Sequence, residues 1–257
     1  MFSWQTQQLA WEDFGVMQGV VQLVPASIAA GAVAAASGVF AWGAVAPESQ
    51  IFGRTIRRTG DSATMALTFD DGPNPAVTPA LLDLLDRHCV RATFFVIGEF
   101  VRAVPALARE ICARGHVLGN HTQTHPRLTF CSPSRTREEL DRCDEAIDTA
   151  AGGRPRWMRP PFGFRSPILD GIARKPGRAG VVMWSASARD WKPQPAGSVI
   201  ERLRRARGGD IVLLHDGDHR LLKGDRRHTF EAVSHWLPRW KNAGIRFVTL
   251  DELREQA

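Results

Sequence analysis

After residue 62 the chain alternates without a break between short apolar runs and longer amphipathic segments. Few architectures accept such a pattern. Parallel strands need crossovers of a dozen or more residues, and a helix is the usual crossover. The runs "ATMALTF", "RATFFVIG", "HVLGN", "PRWMRPPFG", "AGVVMWS", "GDIVLLHDG" and "IRFVTL" read as strands. "NPAVTPALLDLLDRH" carries Pro near its start and reads as a helix, as do "VPALAREICARG", with its terminal Gly, and "SPSRTREELDRCDEAIDTAAGG". "AGSVIERLRRAR" and "RHTFEAVSHWLPRWKNAG" complete the helices. No second linker interrupts them. The pattern predicts one α/β domain over residues 63–257, barrel-like rather than flat, with any site at the C-terminal ends of the strands.

Those ends carry the chemistry. "LTF" runs into Asp70 and Asp71, and "HVLGN" into His121, with His125 four residues on. "WM" is followed by Arg159, Pro160, Pro161 and Phe162. Asp190 and Trp191 come shortly after "VVMWS", and "DIVLL" ends in His215 and Asp216. A random arrangement scatters ionisable residues over both ends of a sheet; here five strands deliver them to one rim. Two histidines four apart reach one metal ion from a turn or loop, and Pro126 disfavours a continuing helix there. Two His and one Asp leave open positions, as in a catalytic rather than a structural metal site. Adjacent aspartates repel each other. A divalent ion offsets that repulsion and acidifies water, so one carboxylate ligates while the other takes a proton. Taken singly, Asp-Asp-Gly is also a plain turn.

The motifs "TFDDGP", "HTQTH", "RPPFG", "DW" and "LLHDG", in this order, resemble those of the polysaccharide deacetylases, the NodB-homology or carbohydrate esterase family 4 fold. The resemblance covers about residues 64–250. It implies a distorted (β/α) barrel and one divalent metal ion, usually zinc. It further implies Asp71, His121 and His125 as ligands, Asp70 as general base, Arg159 orienting that base, His215 as general acid and Asp190 pairing with it. Pro161, Phe162, Trp191 and Leu213 fall on the substrate side, with the Phe162 N–H at the oxyanion. The implied activity removes an acetyl group from N-acetylated amino sugars of a glycan: a chitin-type oligomer, peptidoglycan or a lipid-linked sugar. Deformylation, O-deacetylation and a non-catalytic glycan-binding relative are the alternatives. The chain departs from the pattern at Ser187, where many members have an acid, and at Phe162, where many have Tyr.

Other features bound the reading. No charge occurs from Phe14 to Pro47, and "SIAAGAVAAASGVFAWGAVA" has the length of one membrane span. Residues 1–46 are therefore expected to hold a membrane-anchor helix, in a bacterial inner membrane, with residues 47–62 as linker. A buried Ala-rich helix is the alternative. Arg54, Arg57 and Arg58 follow the segment and favour a cytoplasmic domain, weakly. The net charge is +6, and all but four of the 33 cationic residues are arginine. They are interspersed with acids, which argues against nucleic acid as a partner. Cys89, Cys112, Cys131 and Cys143 show no metal-binding spacing and are expected to be buried free thiols, with a disulfide in an oxidising compartment as the alternative. His116 is expected to pack, His88, His219, His228 and His235 to lie at the surface, and Trp157, Trp184, Trp236 and Trp240 to lie in the core. Asp216 is expected to hold a loop at the rim.

Overall fold

The computed structural model describes residues 26–253. Helix α1 (Ala26–Val45) leads to the short strand β1 (Thr55–Ile56) and the long strand β2 (Thr64–Gly72). Next come α2 (Thr78–Arg87), β3 (Thr93–Val96), α3 (Gly98–Ala103), α4 (Pro105–Ala113) and β4 (Val117–Asn120). They are followed by α5 (Pro133–Ala151), β5 (Trp157–Met158), α6 (Leu169–Ala173), β6 (Gly180–Val182) and β7 (Ala186–Ser187). The chain continues through α7 (Ala196–Leu203), β8 (Ile211–His215), α8 (Arg227–Asn242) and β9 (Arg246–Phe247). The described residues divide into two units between Val39 and Phe40.

The strands pair in parallel in the order β1-β6-β5-β4-β3-β2-β8-β7, with β9 against the start of β2. This is the expected (β/α) arrangement, but β1 and β7, at the two ends of the order, do not pair with each other among the described residues, which leaves an open seam bridged at Arg58 and Asp210. Strand β2 is buried along its whole length, which is why it reads as a continuous apolar run. Phe69, Phe94 and Leu214 face the helix layer with Leu81 and Leu85 of α2. Ala66, Phe95, Trp157, Val182 and Ile211 form a separate cluster. Helix α5 begins where Ser132 accepts a hydrogen bond from the Arg135 N–H and ends at Gly152, whose φ of 76° suits glycine.

Residues 47–62 are more than a linker: β1 lies within them and pairs with β6. The membrane span is not supported. Among the described residues no helix is long and apolar enough to cross a membrane, and alanine and glycine, which offer little apolar surface, fill most of α1. The C-terminal end of α1 instead joins the α/β unit. Ala44 and Ala46 are buried, and the fully buried Arg165 closes the helix end. Its backbone N–H donates to the Ala44 carbonyl (2.9 Å), and its guanidinium donates to the carbonyls of Ser49 (2.6 Å) and Ala46 (2.5 Å). A cation at a helix C-terminus also opposes the negative end of the helix dipole. Arg165→Met is expected to strand these carbonyls and cost roughly 3 kcal/mol. For a domain of this size that is on the order of 10 °C in Tm. A melting temperature within about 2 °C of wild type would show that the clamp is idle.

The four cysteines are free, but of the burial expected for them only Cys143 shows it; Cys112 and Cys131 are half-buried and Cys89 is exposed.

Candidate active site

The register of β2 explains how neighbouring aspartates serve one site. Successive strand residues normally point to opposite faces. Between Asp70 and Gly72 the pairing with β3 slips by a residue, and Asp71 adopts φ of 70°. The bulge turns Asp71 onto the rim that Asp70 already faces. Close packing holds it there. A Cβ on Gly72 would sit 2.5 Å from the Asp216 carboxylate, and one on Gly217 would sit 1.9 Å from the Asp71 carbonyl oxygen. Glycine is needed at both positions. Thr122, His125, Phe162 and Arg189 also have positive φ. This costly conformation is thus concentrated around the site, where the surrounding packing imposes it.

Asp70 sits opposite Phe95 of β3 and His215 of β8 in the sheet register. Its Oδ1 accepts from Arg159 Nη1 at 2.7 Å. Arg159 is wholly buried and donates also to Thr68 Oγ1 (2.8 Å) and to the carbonyls of Met183 (3.1 Å) and Val182 (3.3 Å). It lies 4.3 Å over the Phe95 ring. A buried guanidinium needs such a full set of partners, so its direction, and that of Asp70, is fixed.

Asp71, His121 and His125 present ligand atoms within 4.8 Å of one another, all buried. Asp71 Oδ1 lies 3.4 Å from His121 Nε2 and 3.1 Å from His125 Nε2. His121 Nδ1 is 2.8 Å from the Arg159 carbonyl, which can only accept. That nitrogen therefore donates, which leaves Nε2 as the atom His121 offers to the cluster. Asp71 Oδ1 has no hydrogen-bond partner. Lone pairs converging on one buried point fit a divalent cation. Burial lowers the His125 pKa, with Asp71 opposing, and so favours the neutral ring a ligand requires. Burial raises the Asp71 pKa, but the neighbouring His121, His125 and His219 outweigh it and hold it well below the usual carboxylate range.

His215 faces the same hollow. Its Nδ1 is 2.8 Å from Asp190 Oδ1, and its backbone N–H donates to Asp190 Oδ2 at 2.9 Å. Thr229 Oγ1 donates to Asp190 Oδ2 (2.7 Å), and His228 Nε2 lies 2.8 Å from the Asp190 carbonyl. Burial pulls the His215 pKa down. The charge and hydrogen bond of Asp190 outweigh it, with Asp71 and Asp70 adding, and raise it to about 9. The imidazole is cationic at neutral pH, with Nε2 left to act in the hollow.

The hollow has a volume of about 370 Å³. Asp70, Asp71, His121, His125 and His215 meet there with Phe162, Trp191 and Leu213. Arg159 and Asp190 stand behind as supports, and Pro161 is buried outside the lining. Three expectations need correction. Trp184, expected in the core, lines the hollow, and Gly163 beside it leaves room for the indole. His228 is buried under Asp190 rather than at the surface. His219 belongs to the site: its ring stacks on His125 (centroids 4.4 Å) and meets Phe162 edge-on (5.4 Å), with Nδ1 3.8 Å from Asp71 Oδ2. Asp216 does hold the rim, accepting from Thr78 Oγ1. Burial raises its pKa to about 7, with the Thr78 bond opposing. His116 packs as expected, accepting from the Ala92 N–H and meeting Phe94 edge-on.

A family model described as polysaccharide deacetylase matches residues 57–181. The chain is 38% identical over 208 residues to a chitooligosaccharide deacetylase of Bradyrhizobium sp. (strain ANU 289), covering 77% of this chain and 94% of that one. Among solved structures it resembles a peptidoglycan N-acetylglucosamine deacetylase, at TM-score 0.71 and 32% identity over 76% of this chain and 90% of that one. It also resembles a carbohydrate esterase family 4 pseudoenzyme from Bacillus anthracis, at TM-score 0.69 and 28% identity over 78% and 68%.

Proposed function

The chain belongs to the polysaccharide deacetylase family, and from that premise we propose that it is a metal-dependent hydrolase cleaving the N-acetyl amide of amino sugars in a glycan. The observation that carries this reading is the buried set of Asp70, paired to Arg159, opposite His215, paired to Asp190, across the Asp71–His121–His125 cluster. A pseudoenzyme among the similar structures shows that fold alone does not decide activity. The complete acid, base and ligand set of this chain does favour it.

Asp71, His121 and His125 would hold a divalent ion, and two imidazoles with one carboxylate suit zinc. Such an ion supplies Lewis acidity toward water and the acetyl oxygen. Asp70, aimed by Arg159, takes a proton from the water that attacks the carbonyl carbon. The Phe162 N–H donates to the oxygen on which charge develops. As the C–N bond breaks, His215 gives its proton to the amine nitrogen, which is otherwise a poor leaving group. Trp184 and Leu213 enclose the acetyl methyl, a wall that a formyl group would not need. Phe162 and Trp191, 42% and 46% exposed, offer ring faces to the sugar.

Acetate release from N-acetylglucosamine oligomers tests the reading. Release is expected to stop with chelator and to return on adding zinc. Formate released faster than acetate from matched substrates, or turnover that survives chelation, would overturn it.

A further inference from the structure

The two histidines of the ligand cluster are held in different ways. A histidine that ligates a metal is normally fixed by a hydrogen bond from its other ring nitrogen. His121 follows that rule, with Nδ1 2.8 Å from the Arg159 carbonyl. His125 does not. Its side chain is only 4% exposed, yet its Nδ1 has no hydrogen-bond partner among the described residues. Its ring is gripped by other rings instead. His219 stacks on it, with centroids 4.4 Å apart and planes 23° from parallel. Phe162 meets both imidazoles edge-on, 4.6 Å from His125 and 5.4 Å from His219. His219 Nδ1 also lies 3.8 Å from Asp71 Oδ2, the carboxylate oxygen other than the one that faces His121 and His125.

His219 sits on the loop that leaves β8 after His215, and that loop is firmly anchored. Asn74 Nδ2 donates to the carbonyls of Asp216 (2.9 Å) and Gly224 (2.8 Å), which ties the two sides of the loop together. The Leu221 N–H closes a turn on the Asp218 carbonyl at 2.9 Å. The Asp218 carboxylate accepts from the Arg220 N–H and from the buried Arg226, both at 3.0 Å. Gly224 passes so close that a Cβ there would lie 2.4 Å from the Asp218 Cβ. With both sequence neighbours of His219 held, the loop sets where its ring stands.

We propose that His219 is a positioning residue for the ion-binding cluster, its ring face holding the His125 imidazole in place of the usual hydrogen bond. The inference rests on the reading of Asp71, His121 and His125 as metal ligands. His219 is not a fourth ligand. Among the described residues, the ligand atoms within 4.8 Å of one another belong to Asp71, His121 and His125. A ring nitrogen's lone pair lies in the ring plane, and His219 turns its face, not that plane, to His125. The segment that carries the general acid thus also steadies the ion.

Zinc affinity, measured on the full-length protein by competition with a chromophoric chelator, tests the role. His219→Ala is expected to weaken it about tenfold. His219→Phe keeps an aromatic face without a nitrogen and should recover most of that loss. The melting temperature of the metal-free protein should stay within about 2 °C of wild type in both variants. Cobalt-loaded wild type and His219→Phe should show the same ligand-field bands, because the ligands are unchanged. Wild-type affinity in the Ala variant, no recovery in the Phe variant, a cobalt spectrum altered by Phe, or metal-free proteins that melt lower would each overturn the proposal. Asp71→Asn, titrated alongside, judges the metal reading separately. Zinc affinity unmoved by that substitution would overturn the reading, and the inference with it, whatever His219 does.

Discussion

Asp71→Asn is expected to abolish acetate release and ion binding together, whereas Asp70→Asn abolishes release alone. The difference follows from where each carboxylate points. Asp71 Oδ1 faces two imidazole nitrogens and has no proton donor of its own. An amide there loses the charge that two neutral histidines cannot replace, and affinity for zinc should fall by several orders of magnitude. Asp70 is 3.9 Å from the nearer imidazole and is held by Arg159. Asparagine keeps its shape and cannot take a proton, so kcat should fall by about 10²–10⁴ while calorimetry still finds one ion. Equal loss of ion affinity in both variants would show that the aspartates do not divide the work.

Asp190→Asn carries the second large effect. A general acid must be protonated, and His215 is protonated up to about pH 9 because Asp190 opposes its burial. In wild type, kcat should therefore hold through neutral pH and decline as pH rises through about 9. Asparagine at 190 removes the charge but leaves the burial, which by itself pulls the imidazole below its ordinary value. The basic limb should move down by at least two pH units, with neutral-pH kcat reduced by about 10²–10⁴. Asp190 is itself shielded from water. Burial raises its pKa, and the charge and hydrogen bond of His215 and the Thr229 bond bring it below the usual carboxylate range, so it remains the anionic partner. A basic limb that stays in place in the variant would exclude His215 as the acid.

The long strands and helices were legible because each shows its period: β2, β3 and β8 as apolar runs, α2 and α5 as amphipathic stripes. The rim was legible for the same reason, since parallel strands with helical crossovers bring all C-terminal ends to one side. Strands β1 and β7, of two residues each, and helices α3 and α6 are too short to carry a period. The open seam could not be seen without them. His219 was missed because a loop places it, and the shape of residues 216–226 depends on packing such as Arg226 against Asp218 and the Trp191 carbonyl. The usable signal was its spacing, four residues after His215 in "HDGDH". The bulge at Asp71 had a trace in the sequence, the glycine after the second aspartate. Its consequence, both carboxylates on one side, needed the register with β3.

X-ray anomalous scattering at the zinc edge, on crystals grown with zinc, tests the central claim most directly. One strong peak is expected between Asp71 Oδ1, His121 Nε2 and His125 Nε2, with Asp70 and His215 outside bonding distance of it. No peak at that point, or an ion held by Asp70 or His215, would contradict the division of labour on which the proposed reaction depends.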